Sequence, residues 1–151
     1  MAARLPQLNL AVQYAVSAAG KPSRLQFRRW VRAALQHDAR ITLRIVGQAE
    51  GLALNHNYRN KPYATNVLTF VLHDSNDTAP FEGDLALCAP VVAREASTQK
   101  KTLAAHYAHL TVHGVLHLQG FDHENDADAR VMEARETAIM AKLGYADPYQ
   151  N

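Results

Sequence analysis

The chain has 151 residues, of which 48% are hydrophobic and 20% charged, a balance that excludes intrinsic disorder and fits one globular domain over residues 1–151 with a sizeable core. The single cysteine, Cys88, excludes an internal disulfide and reads as a small apolar core residue, and no stretch reaches the roughly 18 apolar residues of a membrane span. The net charge of +2 is lopsided: residues 1–60 hold nine Lys/Arg against two Asp/Glu, a net of +7, and residues 61–151 hold seven against twelve, a net of −5. Such asymmetry fits a polyanion partner or, equally, a solvated helix face, since Arg24, Arg28, Arg29 and Arg32 fall in one predicted helix.

In chain order, the N-terminal apolar run is broken by Pro6, Gln7, Asn9 and Gln13, with only Arg4 basic before it, so it reads as a first strand and turn of a cytoplasmic protein and not as a signal peptide. LNLAVQY (8–14) alternates at period two, as a half-buried strand does. Ser23 caps a helix whose apolar positions run Leu25, Phe27, Trp30, Val31, Ala34 and Leu35. RITLRIVG (40–47) is a second strand; residues 48–60 form a helix that Pro62 stops; TNVLTFVL (65–72) is a third strand. The polar segment 73–83 reads as an exposed mobile loop, DLALC (84–88) as a fourth strand, and Pro90 opens a helix to about Thr98. A long helix over 102–120 ends at Gly120, and a last one runs from about Asp126 to Leu143 before Gly144. Strands interleaved with helices, then helices gathered at the end, predict an α/β (α+β) domain with a four-stranded sheet, whose strand order the pattern does not give.

The chemistry concentrates in HGVLHLQGFDHEND (113–126). His113 and His117, four apart on a helix, share one face about 5–6 Å apart at Cβ. Gly120 permits a reversal with positive φ that carries His123 back over that face. Three imidazoles with an open fourth position describe a catalytic rather than a structural zinc site; nickel or copper would suit the same donors. A chance i, i+4 pair is the competing reading for the first two, and His106 and His109 show that the helix is rich in histidine; these two, with His37, His56 and His73, stay outside the expected ligand set.

The spacing also matches metzincin peptidases, whose general base is a Glu directly after the first histidine. Here that residue is Gly114, which transfers no proton; it leaves room for a bulky substrate group or for a tightly packed neighbouring strand. Asp122, beside His123, is read as the acceptor that orients a histidine ring, with carrying a proton or capping its turn as the alternatives. Arg59 is either a phosphate fork or a surface arginine at a helix end.

HGVLHLQGFDH (113–123), GDLALC (83–88), LNHNYRNKPYATNVLTF (54–70) and LGYADPY (143–149) together resemble the YbeY family of bacterial endoribonucleases and ribosomal RNA maturation factors. The similarity runs in order along essentially the whole chain. Asn66, Thr69 and Val71 stand where relatives often carry Asp, Ser and Pro. The resemblance implies a mixed-sheet α/β fold with a zincin-like metal helix, and one zinc held by His113, His117 and His123. It implies an endoribonuclease preferring single-stranded RNA, with His113 and Arg59 in the catalytic machinery and Arg59 also holding substrate. It further implies work on the 3′ end of small-subunit ribosomal RNA and in ribosome quality control, with RNA and the ribosome as partners and no DNA or membrane. A metallopeptidase, and a non-enzymatic ribosome assembly factor with a structural metal, are the alternatives.

Overall fold

The protein is described by a computed structural model over residues 4–73 and 80–150. Its elements run β1 (Leu8–Tyr14), α1 (Arg24–Ala34), β2 (Ala39–Val46), α2 (Gln48–Arg59), β3 (Val67–His73), β4 (Phe81–Cys88), α3 (Ala89–Thr98), α4 (Leu103–Leu118) and α5 (Asp126–Lys142). The four strands form one sheet in the order β1-β2-β4-β3. β1–β2 and β2–β4 are parallel, while β3 pairs antiparallel with β4 and forms an edge. The mixed sheet thus agrees with the sequence-based expectation.

Alternation explains how the sheet is covered. Leu10, Val12, Ile41, Leu43, Ile45, Leu85 and Leu87 join the core with Phe27, Trp30 and Val31 of α1 and with α4. The opposite face carries Asn9, Gln13, Arg40, Arg44 and Glu82, with Arg40 and Glu82 paired across strands at 3.4 Å. α1 is fastened at its start by a capping box, in which Ser23 accepts from the Gln26 N–H and the Gln26 side chain accepts from the Ser23 N–H. α4 is buried on nearly every side, from His106 and Tyr107 to Leu118, because α1, α3, α5 and the sheet all pack on it.

Two expectations change. Leu25, expected on the apolar stripe of α1, lies exposed in the first turn of that helix. The strand expected over 84–88 begins at Phe81, because residues 81–83 pair with β2 and residues 82 and 83 also with β3. Ladder bonds on two sides, and the burial of Phe81, outweigh the turn character of FEG. The remainder of the expected mobile loop, residues 74–79, lies outside the described residues.

Gly114 is explained by packing. A Cβ built there would lie 2.7 Å from Leu85 Cδ1 and 3.1 Å from Leu85 Cγ, and Leu85 is fully buried in β4. The glycine lets α4 lie close on the sheet. Gly114→Ala is therefore expected to destabilise the fold by about 1–3 kcal/mol from overpacking, although alanine gains about 1 kcal/mol of helix propensity. Urea unfolding checks the sign.

Candidate metal centre and cleft

α4 presents His113 and His117 one turn apart, both half-buried. The helix ends at Gln119, and Gly120, at φ 98°, reverses the chain. The Phe121 N–H then bonds the Leu116 carbonyl at 3.1 Å, which folds His123 back over the helix end. Asn125 caps α5 immediately afterwards by accepting from the Asp128 N–H, so the connecting turn is pinned at both ends.

The three imidazole centroids lie 5.1, 5.5 and 5.0 Å apart, a nearly equilateral triangle. One ring nitrogen from each lies within 4.8 Å of the others. His117 Nε2 and His123 Nδ1 face each other at 3.2 Å. Two nitrogens, each 2.0–2.1 Å from a tetrahedral ion, are about 3.3 Å apart, so this pair already has the edge length of such a site. Burial, followed by the neighbouring His113 and His123, lowers the pKa of His117 and favours the neutral ring that a metal needs. The donor set therefore fits a divalent ion, and among the described residues no fourth His, Cys, Asp or Glu joins the group.

The triad forms one wall of an open cleft of about 420 Å³. The other walls are Thr65, Asn66, Val67 and Thr69 from the edge strand and its approach, Arg59 at the end of α2, and Asp122 and Glu124. Arg59 is placed by the way α2 stops. Asn60 adopts a left-handed conformation (φ 57°), and its N–H bonds the His56 carbonyl. Buried Asn55 donates to the Tyr63 carbonyl at 2.6 Å and anchors the following loop.

Asp122 Oδ1 accepts from the His123 backbone N–H at 2.7 Å. It holds the turn through the backbone, and among the described residues it makes no hydrogen bond to a ring of the triad, unlike the ring-orienting role expected of it. The carboxylate that touches an imidazole of the triad is Glu136 of α5: its Oε1 accepts from His113 Nδ1 at 3.0 Å and from His109 Nε2 at 2.8 Å. Its Oε2 accepts from the Tyr149 hydroxyl at 2.8 Å. Burial pushes the Glu136 pKa up, but the His109 and His113 hydrogen bonds outweigh it and hold the value at about 2. Burial, and then the Glu136 charge, raise the pKa of Tyr149, which keeps its hydroxyl protonated as a donor. The sequence does contain a sign of this residue. Glu136 shares the α5 stripe of Met132, Ile139 and Met140, and a glutamate in an apolar stripe requires partners.

A second polar chain runs from α4 to the cleft. His106, almost wholly buried, bonds Glu95 at 2.9 Å, and Glu95 accepts from Asn66 Nδ2 at 3.0 Å. Burial lowers the His106 pKa below its usual 6.5, more than the Glu95 bond raises it; His109 and Lys101 add small further lowering. The unfolded chain therefore binds more protons as the medium is acidified. This contribution to stability is present above pH 6.5 and is lost as pH falls through the folded value. His106→Gln removes the titration, so the wild type should lose more stability than the variant as pH is lowered from above 6.5, read by urea unfolding at several pH values.

Comparison with known proteins agrees along the chain. The family model described as Endoribonuclease YbeY matches residues 17–144. The chain is 56% identical over 155 residues to Endoribonuclease YbeY of Nitrosospira multiformis, covering 95% of this chain and 82% of the relative. It is 53% identical over 147 residues to that of Methylobacillus flagellatus, covering 97% of each. A Thermotoga maritima protein whose structure was determined in solution aligns over 94% of this chain and 99% of its own, with a TM-score of 0.55 at 20% identity, a likeness of fold. With the family model spanning most of the chain and relatives above half identity over nearly all of it, this protein belongs to the YbeY endoribonuclease family.

Proposed function

We propose that the protein is a zinc-dependent endoribonuclease that cleaves single-stranded RNA in ribosomal RNA processing, at the 3′ end of the small-subunit RNA and in ribosome quality control. The observation that carries the reading is the convergence of His113, His117 and His123 on one point of a cleft that Arg59 also lines. Family membership supplies the reaction class. When bound, such an ion supplies Lewis acidity toward water and phosphate oxygens.

The chain's own residues do the rest. His113, His117 and His123 would hold the ion at the cleft wall. Arg59 approaches from α2 and grips a phosphate oxygen with its planar fork, offsetting the charge that develops at phosphorus. Asp122 keeps His123 in place through its backbone. Asp122 and Glu124 would repel a polyanion, so productive binding relies on Arg59 and the cation together. The open cleft at a sheet edge suits a flexible single strand. The working location is the cytoplasm, with the ribosome as partner; among the described residues no helix is long and apolar enough to cross a membrane.

The test is cleavage of a labelled single-stranded RNA before and after chelation, with elemental analysis of the purified protein. Full activity in metal-free protein would sink the reading. The ends of the products then separate the routes of attack, since a 2′,3′-cyclic phosphate means that the ribose hydroxyl is the nucleophile.

A further inference from the structure

Glu136 is a wholly buried carboxylate whose hydrogen-bond partners are two imidazoles and a phenol. Because an ionised carboxylate only accepts, the ring nitrogens facing it must both carry hydrogen. For His113 this places the proton on Nδ1 and leaves Nε2 with its lone pair toward the cleft. For His109 it places the proton on Nε2 and leaves Nδ1 bare, consistent with that atom being buried without a hydrogen-bond partner. Tyr149 arrives from the segment after α5, with its ring edge-on to His109 at 5.3 Å. That segment is itself fastened: Asp147 Oδ1 accepts from the Tyr149 N–H at 2.9 Å and from Thr137 Oγ1 at 3.3 Å, and Lys101 Nζ donates to the Pro148 carbonyl at 2.7 Å.

We propose that Glu136 is a positioning residue that fixes the tautomer and direction of His113 for metal binding, and that Tyr149 latches Glu136, so that the segment after α5 tunes the metal centre. The inference rests on the metal reading given above. A carboxylate behind a ligating histidine raises the basicity of the ring and holds its aim, and its loss ordinarily weakens metal affinity about 10–100-fold. A buried glutamate that served only packing would affect folding and leave the affinity of the folded protein alone.

The experiment uses the full chain as Glu136→Gln, Tyr149→Phe and His113→Ala. Zn²⁺ affinity is read by competition with a chromophoric chelator, at a temperature where circular dichroism shows each protein folded. The visible spectrum of the Co²⁺ form reports ligand geometry. Glu136→Gln should weaken Zn²⁺ binding about 10–100-fold and shift the Co²⁺ bands. Tyr149→Phe, which keeps the ring against His109, should weaken it by a smaller factor. Wild-type affinity and an unchanged Co²⁺ spectrum in both variants would overturn the proposal. If Glu136→Gln does not fold, Tyr149→Phe decides alone: weakened binding supports the latch and wild-type binding overturns it. His113→Ala separates the two levels. Undiminished affinity there overturns the metal assignment itself, whereas loss there with wild-type behaviour in the other variants overturns only the role of Glu136 and Tyr149.

Discussion

His113→Ala is expected to abolish RNA cleavage, with a fall of at least about 10³-fold in kcat/KM, since a catalytic ion contributes several kcal/mol to the transition state and each 1.36 kcal/mol is a factor of ten. His113 occupies one corner of the imidazole triangle, and two remaining rings do not fix a tetrahedral ion. The substitution also leaves Glu136 buried without one of its donors. Some loss of stability should accompany the loss of activity, so circular dichroism and thermal unfolding of the variant belong in the experiment. His123→Ala provides the cleaner companion. His123 is exposed, and among the described residues its ring's hydrogen-bond and aromatic neighbours are those of the triad, so the same loss of metal and activity is expected with little change in stability. Zinc content by elemental analysis and cleavage of single-stranded RNA check both. A His123→Ala protein that retains its metal and its rate would remove this site from the mechanism.

Arg59→Ala is expected to lower kcat/KM about 10²–10³-fold, the ordinary cost of removing one donor aimed at developing charge, while leaving zinc content unchanged. Arg59 is exposed at the end of α2 and lines the same cleft as the histidines, so its removal is expected to leave the fold intact. Arg59→Lys should recover only part of the loss: lysine keeps the charge but not the planar fork of donors. If the arginine instead serves general attraction of the polyanion, Lys and Arg will be nearly equivalent and the defect will lie in KM with a steep salt dependence. Steady-state kinetics at two ionic strengths decide between them.

Much of the fold was legible because local physics and burial point the same way. Period-two alternation placed β1 and β2, the Ser23 cap and its apolar spacing placed α1, and Gly120 and Gly144 marked helix ends that both adopt positive φ. The limits of β4 were not legible, since residues 81–83 carry no strong strand preference and are held extended by partners distant in sequence. Strand order was equally hidden, because it depends on which edges pair. The alternative readings of Gly114 illustrate the same divide. The sequence left a choice between space for substrate and close approach of a strand, and Leu85 settles it, 29 residues away in the chain.

By itself, the sequence determined the histidine trio: i, i+4 spacing on a helix followed by a glycine reversal is local geometry, and it brings His113, His117 and His123 together. Only the tertiary structure decided what holds and faces that trio. Glu136 reaches His113, and Tyr149 reaches Glu136, through the packing of α5 and the segment after it against α4, and Arg59 reaches the cleft because the sheet brings α2 and the edge strand beside it. A carboxylate on a helix has the same letter whether it is solvated or buried. Its environment is set by long-range packing, which local periodicity does not encode.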